Sequence, residues 1–126
     1  MMVPDNYHIS DDYARYSPQG NFSLQQAVEL LIESVIHSRN HAIGKLLIDT
    51  RGLHGFSSPS AYDRFFLSVQ LAYEAAGLIK IAFVARPELI DPQKFGITVA
   101  RNRGLQTDVF TSGSEALAWL LGPSVT

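Results

Sequence analysis

The segment Lys45–Phe65, KLLIDTRGLHGFSSPSAYDRF, links an apolar strand to a helix and decides the fold of the chain. Its first part, Lys45–Asp49, is a short run without polar alternation, which is typical of a strand buried on both faces of a parallel sheet. Further along, Ser58 and Pro59 predict the start of a helix, with serine as the N-cap and proline at the first helical position. The segment therefore predicts the strand-then-helix unit of an α/β domain.

The same alternation continues on both sides of this segment. Antiparallel strands are predicted at residues 7–9 and 13–17, and further buried strands at Ile79–Ala85 and Thr107–Thr111. Four helices are predicted: Leu24 to Asn40, Ser58 to Ala76, Asp91 to Gly104, and one that follows Ser112. The order ββαβαβαβα indicates an α/β fold with a mostly parallel sheet and an antiparallel N-terminal edge. We predict a single domain over residues 1–126, with an ordered core of about 7–122.

Length and composition exclude several classes of protein. The 126 residues are 46% hydrophobic and 17% charged, which suits one folded domain with one core. A net charge of −2 lacks the basic excess of nucleic-acid-binding proteins, and no apolar run reaches the roughly 20 residues of a membrane span. The chain has no cysteine, which excludes disulfides, thiolate metal sites and cysteine catalysis. We therefore expect a cytoplasmic protein that binds no nucleic acid, needs no cofactor and does not insert stably into a membrane.

No group of residues predicts a catalytic site or a metal site. Gly55–Pro59 fails the G-x-S-x-G pattern of serine hydrolases because proline stands at its last position. Glu33, His37 and His41 are spaced four apart, but we assign them to the solvated face of the first helix. The chain is therefore expected not to be an enzyme and not to bind a metal.

Polar residues gather at the carboxyl ends of the predicted strands, where open α/β sheets bind ligands. Asp49 and Arg51 follow one strand, and Arg86 follows the next. These residues either form a small-molecule or anion site with the helix N-termini, or they only hold turns and cap helices. For Asp49 we favour the structural role, in which its carboxylate accepts backbone N–H groups of the following turn.

The second predicted helix carries apolar residues on two sides. Its wide side is expected to pack on the sheet, and it consists of Tyr62, Phe65, Val69, Ala72, Tyr73 and Ala76. Leu67 and Leu71 point roughly 180° away from that side at 100° per residue. This Leu67/Leu71 strip either contacts a protein partner or is covered by a neighbouring helix or the N-terminal strands. In a partner contact, specificity would come from Asp63, Arg64 and Glu74.

Four motifs carry a resemblance to a known family. They are Gly20–Ser23 before the first helix, KLLIDTRG at Lys45–Gly52, IAFVA at Ile81–Ala85, and VFTSGSEALAWL at Val109–Leu120. Together with the order of elements, they make the chain from Tyr13 to Gly122 resemble the SpoIIAA-like proteins of the STAS superfamily, which is named after sulfate transporters and anti-sigma-factor antagonists. The resemblance implies a regulatory domain without catalysis.

The resemblance also implies a phosphorylation switch. In regulatory members of the family, a partner kinase phosphorylates a serine just after the third strand, in a motif such as Asp-Ser-Ser-Gly, and so controls binding to an anti-sigma factor. The corresponding segment Asp49–Gly52 keeps the outer two residues, with Thr50 at the first serine and Arg51 at the second. The candidates for a phospho-switch are therefore Thr50 and, further along the loop, Ser57 and Ser58.

Two functional hypotheses follow. The first is a regulatory module that binds a protein partner, namely a kinase, an anti-sigma-like protein or a second copy of the chain through the second helix. Its contact surface would be the loop from Thr50 to Ser60 and the Leu67/Leu71 strip. The second hypothesis is a protein that binds a small apolar or anionic ligand. It rests on the similarity of the family's fold to lipid-binding CRAL-TRIO domains. Its pocket would lie between the second and third helices and the strand ends, near Phe56, Phe65, Arg86 and Phe95.

Overall fold

The computed structural model describes residues 5–123, and within that range the chain forms seven strands and four α-helices. The strands are β1 (Tyr7–Ile9), β2 (Ala14–Tyr16), β3 (Gly20–Asn21), β4 (Lys45–Asp49), β5 (Leu53–His54), β6 (Lys80–Val84) and β7 (Thr107–Phe110). The helices are α1 (Leu24–Asn40), α2 (Ala61–Ala75), α3 (Phe95–Asn102) and α4 (Gly113–Leu121), and a 3₁₀ turn occupies Pro87–Leu89. The parts of the predicted domain at residues 1–4 and 124–126 lie outside the described residues.

Five of these strands form the central sheet in the order β1-β2-β4-β6-β7. Strand β1 pairs antiparallel with β2, and the other pairings in this sheet are parallel. Helices connect the parallel strands because a parallel pair needs a long crossover connection. The predicted fold class is therefore confirmed as an α/β domain with four helices, a mostly parallel sheet and an antiparallel N-terminal edge.

The central sheet is covered on both faces, which explains why its strands lack polar alternation. On β4, Leu46 and Ile48 belong to the larger hydrophobic core, whereas Leu47 belongs to the smaller one. Helices α1, α2 and α3 contribute to the larger core, and α4 completes the smaller one with Ala116 and Leu120. The larger core, with its three helices, surrounds the candidate site described below.

Helix α2 begins at Ala61, so the prediction that Ser58 caps it and Pro59 opens it is wrong. The N-cap is Ser60, whose Oγ accepts the backbone N–H of Asp63 at 3.1 Å. In return, the Asp63 carboxylate accepts the backbone N–H of Ser60 at 3.1 Å. This reciprocal capping box satisfies two free donors at the helix start, whereas a lone serine cap satisfies one.

Helix α3 begins at Phe95, several residues after the predicted start at Asp91 and Pro92. Asp91 still serves the helix, because its Oδ2 accepts the backbone N–H of Phe95 at 2.8 Å. Between them, Lys94 adopts a left-handed backbone conformation with φ of 51°. The aspartate-proline motif therefore marks a capped turn in front of the helix and not the first helical turn itself.

The side of α2 that faces the core is not the predicted one. Leu71 is only 3% exposed and Leu67 packs against the larger core, so the Leu67/Leu71 strip is not a solvent-facing partner surface. Tyr62 and Tyr73 were expected to pack on the sheet, but they are 70% and 78% exposed. The physical reason is that α2 packs against both α1 and α3, which cover its leucine side. The alternative that a neighbouring helix covers the strip is the one observed.

Strands β3 and β5 form a separate parallel pair that was not predicted. Each has only two residues, which is too short for a periodic pattern to be recognised. The pairing continues beyond β3, where the backbone N–H of Phe22 donates to the carbonyl of His54 at 2.8 Å. The pair therefore ties the loop that leads to α2 against the chain that leads to α1.

Candidate functional site

An apolar cavity of about 180 Å³ lies between the sheet and the helices of the larger core, beyond the carboxyl ends of β4 and β6. Helix α1 contributes Leu24 and Val28 to its wall, and α2 contributes Leu67 and Leu71. Phe56 lines it from the loop that precedes α2. The cavity thus lies at the edge where open α/β sheets bind ligands.

The cavity lies where the ligand-binding hypothesis expected a pocket, but its lining differs in part. Phe56 is among the lining residues, whereas Phe65, Phe95 and Arg86 are not. Phe65 and Phe95 are 37% and 40% exposed at the surface. The guanidinium of Arg86 is held elsewhere, with its Nη2 donating to the carbonyl of Leu53 at 2.8 Å. The wall is therefore mostly aliphatic, and its cationic residues are Arg64 and Lys94 in place of the expected Arg86.

Arg64 of α2 joins two loops beside the cavity. Its Nε donates to the carbonyl of Pro59 at 3.2 Å, and its Nη2 donates to the carbonyl of Leu89 at 3.1 Å. The same Nη2 also donates to Oγ of Ser58 at 3.1 Å. Because these partners belong to two different segments, the Arg64 side chain holds the loop before α2 next to the 3₁₀ turn. All of the partners are neutral, so no ion pair is involved.

Asp49 closes β4 between two arginines. Its Oδ1 accepts the backbone N–H of Arg51 at 3.1 Å and the Arg51 Nε at 3.0 Å, while its Oδ2 accepts Nη2 of Arg51 at 2.8 Å and Nη2 of Arg15 at 3.3 Å. Burial by itself raises the pKa of Asp49, but the hydrogen bonds and charge of Arg51, together with the charge of Arg15, outweigh it and hold that pKa below its usual value. The ionised carboxylate therefore fixes the turn after β4, which is the structural role favoured from the sequence.

The three candidate phosphorylation sites differ in how free their hydroxyl groups are. Thr50 is half-buried, and its Oγ1 donates to the carbonyl of Val84 at 2.9 Å. Ser57 and Ser58 are both exposed, and only the second contacts a charged group, namely the guanidinium of Arg64. The loop before α2 thus presents the two serines to solvent, while the threonine helps to join β4 to β6.

The outer side of α2 carries a group of exposed aromatic rings, Tyr62, Phe65, Phe66 and Tyr73, which we call the α2 aromatic face. These four side chains are 70%, 37%, 48% and 78% exposed, in chain order. The rings of Tyr62 and Phe66 meet edge to face with centroids 4.6 Å apart. None of the four is charged, so α2 presents an apolar surface to solvent.

Sequence reasoning placed Tyr62, Phe65 and Tyr73 of the α2 aromatic face in the core, because helical spacing puts them on one wide apolar side of the helix. Of the side predicted to be buried, only Ala72 is buried, and the buried side of α2 consists of this residue with Ser68, Leu71 and Ala75. Helix α3 approaches closely here, since a Cβ built on Gly96 would lie 2.9 Å from Oγ of Ser68. Small residues spaced by three and four were the signal that could have identified this packed side.

Neither a metal centre nor a membrane-spanning helix is found in the part of the chain from residue 5 to residue 123. No three histidine, aspartate or glutamate side chains of that part lie close enough together to hold a metal ion. No helix there combines the length and the apolar character that crossing a bilayer requires.

His37 is buried, so its assignment to the solvated face of α1 is wrong. The side chain is only 4% exposed. Its ring meets Tyr7 edge to face with centroids 4.7 Å apart and lies 4.1 Å from the ring of His41. The N-terminal strands therefore cover this end of α1, which a pattern on the helix alone does not reveal.

A pH dependence of stability is expected from this buried imidazole. Burial, assisted by the charge of His41, lowers the pKa of His37 in the folded chain. The unfolded chain therefore binds a proton near pH 6.5 that the folded chain takes up only at lower pH, and the free energy of unfolding falls on acidification by at most about 1.4 kcal/mol per pH unit. His37→Phe removes the titrating group and should flatten this fall, as measured by urea denaturation at pH 7.5 and pH 5.

The matched control is His8→Gln, because His8 is an exposed histidine on β1. This variant should keep the pH dependence of the unsubstituted protein. Equal acid sensitivity in the His37→Phe variant and the unsubstituted protein would show that His37 is not the group responsible.

Comparison with known proteins yields a structural likeness. No family model matches the chain, and no curated protein matches it. The fold is similar to that of the protein TM1081, whose structure was determined by NMR, with a TM-score of 0.50. The two chains are 14% identical, and the match covers 95% of this chain and 90% of the other. At this level of identity the likeness shows the α/β fold over nearly the whole chain.

Proposed function

We propose that the chain is a non-enzymatic regulatory module of the STAS type that acts by binding a protein partner through the α2 aromatic face. The observation that carries the proposal is the exposure of four uncharged aromatic side chains on one helix. Aromatic residues are enriched at the centres of protein interfaces because they bury a large area with few rotatable bonds. Four such residues exposed along one helix of a small domain, three of them with their rings in contact, are best explained by a surface that a partner covers.

The partner chemistry follows from the composition of the surface. The four residues of the α2 aromatic face carry no charge, and the guanidinium of Arg103 lies over the Phe65 ring at 5.4 Å from its centroid. The partner should therefore present an apolar patch of similar size. A second copy of the same helix meets this requirement, and so does an apolar groove of a kinase or an anti-sigma-like protein, the partner classes that the STAS resemblance implies. Tyr62 and Tyr73 add hydroxyl groups that can bond to the polar rim of either partner.

Regulation by phosphorylation would act next to this surface. Ser57 and Ser58 are exposed in the loop that leads into α2. A phosphate on Ser58 would add two negative charges close to the guanidinium of Arg64, whose Nη2 already lies 3.1 Å from the Ser58 Oγ. Because Arg64 belongs to α2, such a charge would change the electrostatics of the helix that carries the proposed contact surface.

The double substitution Tyr62→Glu with Tyr73→Glu tests this function. Placing two carboxylates on the α2 aromatic face should weaken a partner contact at least about tenfold, because interface aromatic anchors commonly contribute more than about 1.4 kcal/mol. Self-association is measured by sedimentation velocity over a range of concentrations. Binding to other proteins is measured by quantitative crosslinking in extracts of the native source.

Ile9→Glu serves as the matched control, because Ile9 is an exposed apolar residue on the edge strand β1 and is 58% exposed. It should leave both measurements unchanged, and circular dichroism should show that all variants are folded. The proposal fails if the unsubstituted protein stays monomeric and its crosslinked proteins are the same as those of the Tyr62→Glu, Tyr73→Glu variant.

A further inference from the structure

The cavity between α1, α2 and α3 has a size that limits what can enter it. Its volume is about 180 Å³. An engineered protein cavity of about 150 Å³ lined by leucine, isoleucine and phenylalanine binds benzene, which has six non-hydrogen atoms. By that scale this cavity accepts roughly seven or eight non-hydrogen atoms. Because the cavity is partly open to solvent, this volume limits what it can enclose, and a long acyl chain exceeds it.

One polar side chain in the wall of the cavity is not held by an internal hydrogen bond. Ser68 on α2 is only 7% exposed and is among the lining residues. Its hydroxyl makes no hydrogen bond to any of residues 5–123, unlike the buried Ser34 and Ser38 of α1, which donate to the carbonyls of Leu31 and Ser34. Because Oγ of Ser68 is not among the fully buried atoms that lack a partner, water in the cavity can reach it, and a bound molecule can replace that water. Ser68 is therefore placed to bond to a molecule in the cavity.

The charged groups at the edge of the cavity are already engaged by other partners. Lys94 pairs with Asp108 at 2.9 Å, and Asp91 accepts backbone N–H groups at the start of α3. Arg64 donates to the backbone carbonyls described above. With each of these charges compensated or hydrogen-bonded, a charged ligand would lose its hydration without gaining a dedicated partner. The arrangement favours an uncharged ligand.

We infer that this cavity binds a compact, uncharged apolar molecule of about seven or eight non-hydrogen atoms that carries a single hydroxyl or carbonyl group. The apolar body contacts the aliphatic wall formed by residues such as Val28, Leu67 and Leu71. The polar group of the ligand forms a hydrogen bond with the hydroxyl of Ser68. This binding site is separate from the α2 aromatic face, because it uses the opposite side of the same helix.

Titration of the full chain with three probes, followed by two-dimensional NMR, tests the inference. The probes are p-cresol, which has the predicted size and one hydroxyl, toluene, which lacks the hydroxyl, and dodecanoate, whose chain is too long. We expect p-cresol to bind with a dissociation constant of about 1 mM or lower, toluene to bind several-fold more weakly, and dodecanoate not to shift the signals of cavity residues.

Two variants assign the binding to this cavity. Ser68→Ala should weaken the binding of p-cresol about fivefold and leave the binding of toluene unchanged, since the substitution removes one neutral hydrogen bond. Val28 is a half-buried residue of α1 that lines the cavity. In Val28→Phe the larger side chain should fill the cavity and abolish binding of both aromatic probes. Ser34→Ala, at a buried serine outside the cavity lining, should change neither probe.

Three outcomes would overturn the inference. If neither aromatic probe binds the unsubstituted protein at several millimolar, the cavity is not a binding site for such molecules. Stronger binding of dodecanoate than of p-cresol would contradict the size limit. An equal loss of p-cresol and toluene binding in Ser68→Ala would show that Ser68 only supports the packing of α2 on α3. None of these outcomes affects the test of the α2 aromatic face, which measures protein association.

Discussion

Leu71→Ala is expected to lower the free energy of unfolding by about 3 kcal/mol, because it removes a leucine from the larger core and leaves a cavity behind. Leu71 is 3% exposed and belongs to a cluster that includes Leu46, Ile48 and Ile81 of the sheet. For a domain whose total stability is typically about 5–15 kcal/mol, such a loss is a large fraction. Urea denaturation followed by circular dichroism measures it directly.

The matched substitution on the same helix is Tyr73→Ala. Tyr73 is 78% exposed, so removing its ring should change the free energy of unfolding by no more than about 0.5 kcal/mol. The contrast between the two variants tests the observed packing of α2 against the sequence-based expectation that the side with Tyr73 packs on the sheet, in which case removing the tyrosine would be the costlier change. Similar losses in the two variants, or a larger loss for Tyr73→Ala, would contradict the observed orientation of the helix.

The second large effect is expected at Gly55, in the loop between β5 and α2. Its φ of +102° is a conformation that residues with a side chain rarely adopt. A Cβ at this position would also lie 2.7 Å from the carbonyl oxygen of Phe22 and 2.9 Å from its backbone nitrogen. Strain and collision with a backbone that is itself held by the β3–β5 pairing should cost about 3 kcal/mol in Gly55→Ala.

Gly77→Ala separates backbone strain from collision. Gly77 also has a positive φ, of +72°, but a Cβ built there meets no atom within 4 Å. Its cost should be only about 1 kcal/mol, the value for a left-handed conformation alone. Thermal or urea denaturation of both variants provides the comparison. If Gly55→Ala is no more destabilised than Gly77→Ala, the close approach of Phe22 is not a constraint on the loop.

Much of the fold could be predicted because its signals are local. The burial of Lys45–Asp49 shows in its own composition, and the helix Leu24–Asn40 shows in the capping pair Ser23 and Gln26. Both elements were predicted with the observed bounds. The starts of α2 and α3 were misplaced because several polar residues near each start can act as caps, and the choice among them depends on small differences in hydrogen bonding.

The candidate site could be predicted only in outline. Its position followed from a general property of α/β sheets, that strand ends at one edge gather polar residues and ligands. Its lining did not follow, because Val28, Leu67 and Ser68 come from different helices whose relative rotation is a tertiary property. Ser68 was not singled out from the sequence, because only the tertiary structure shows that its side chain lines the cavity without an internal hydrogen bond.

The sequence by itself determined the order of the four helices and of the five strands of the central sheet, the antiparallel edge of that sheet, and the lack of cysteine chemistry, since these depend on local periodicity and on composition. Only the tertiary structure decided which side of α2 is buried. An isolated helix with apolar residues on two sides has two acceptable orientations. Packing of α2 against both α1 and α3 selects one of them, and at Gly96 the backbone of α3 comes close to Ser68. That contact joins residues distant in the chain, so no pattern within α2 contained it.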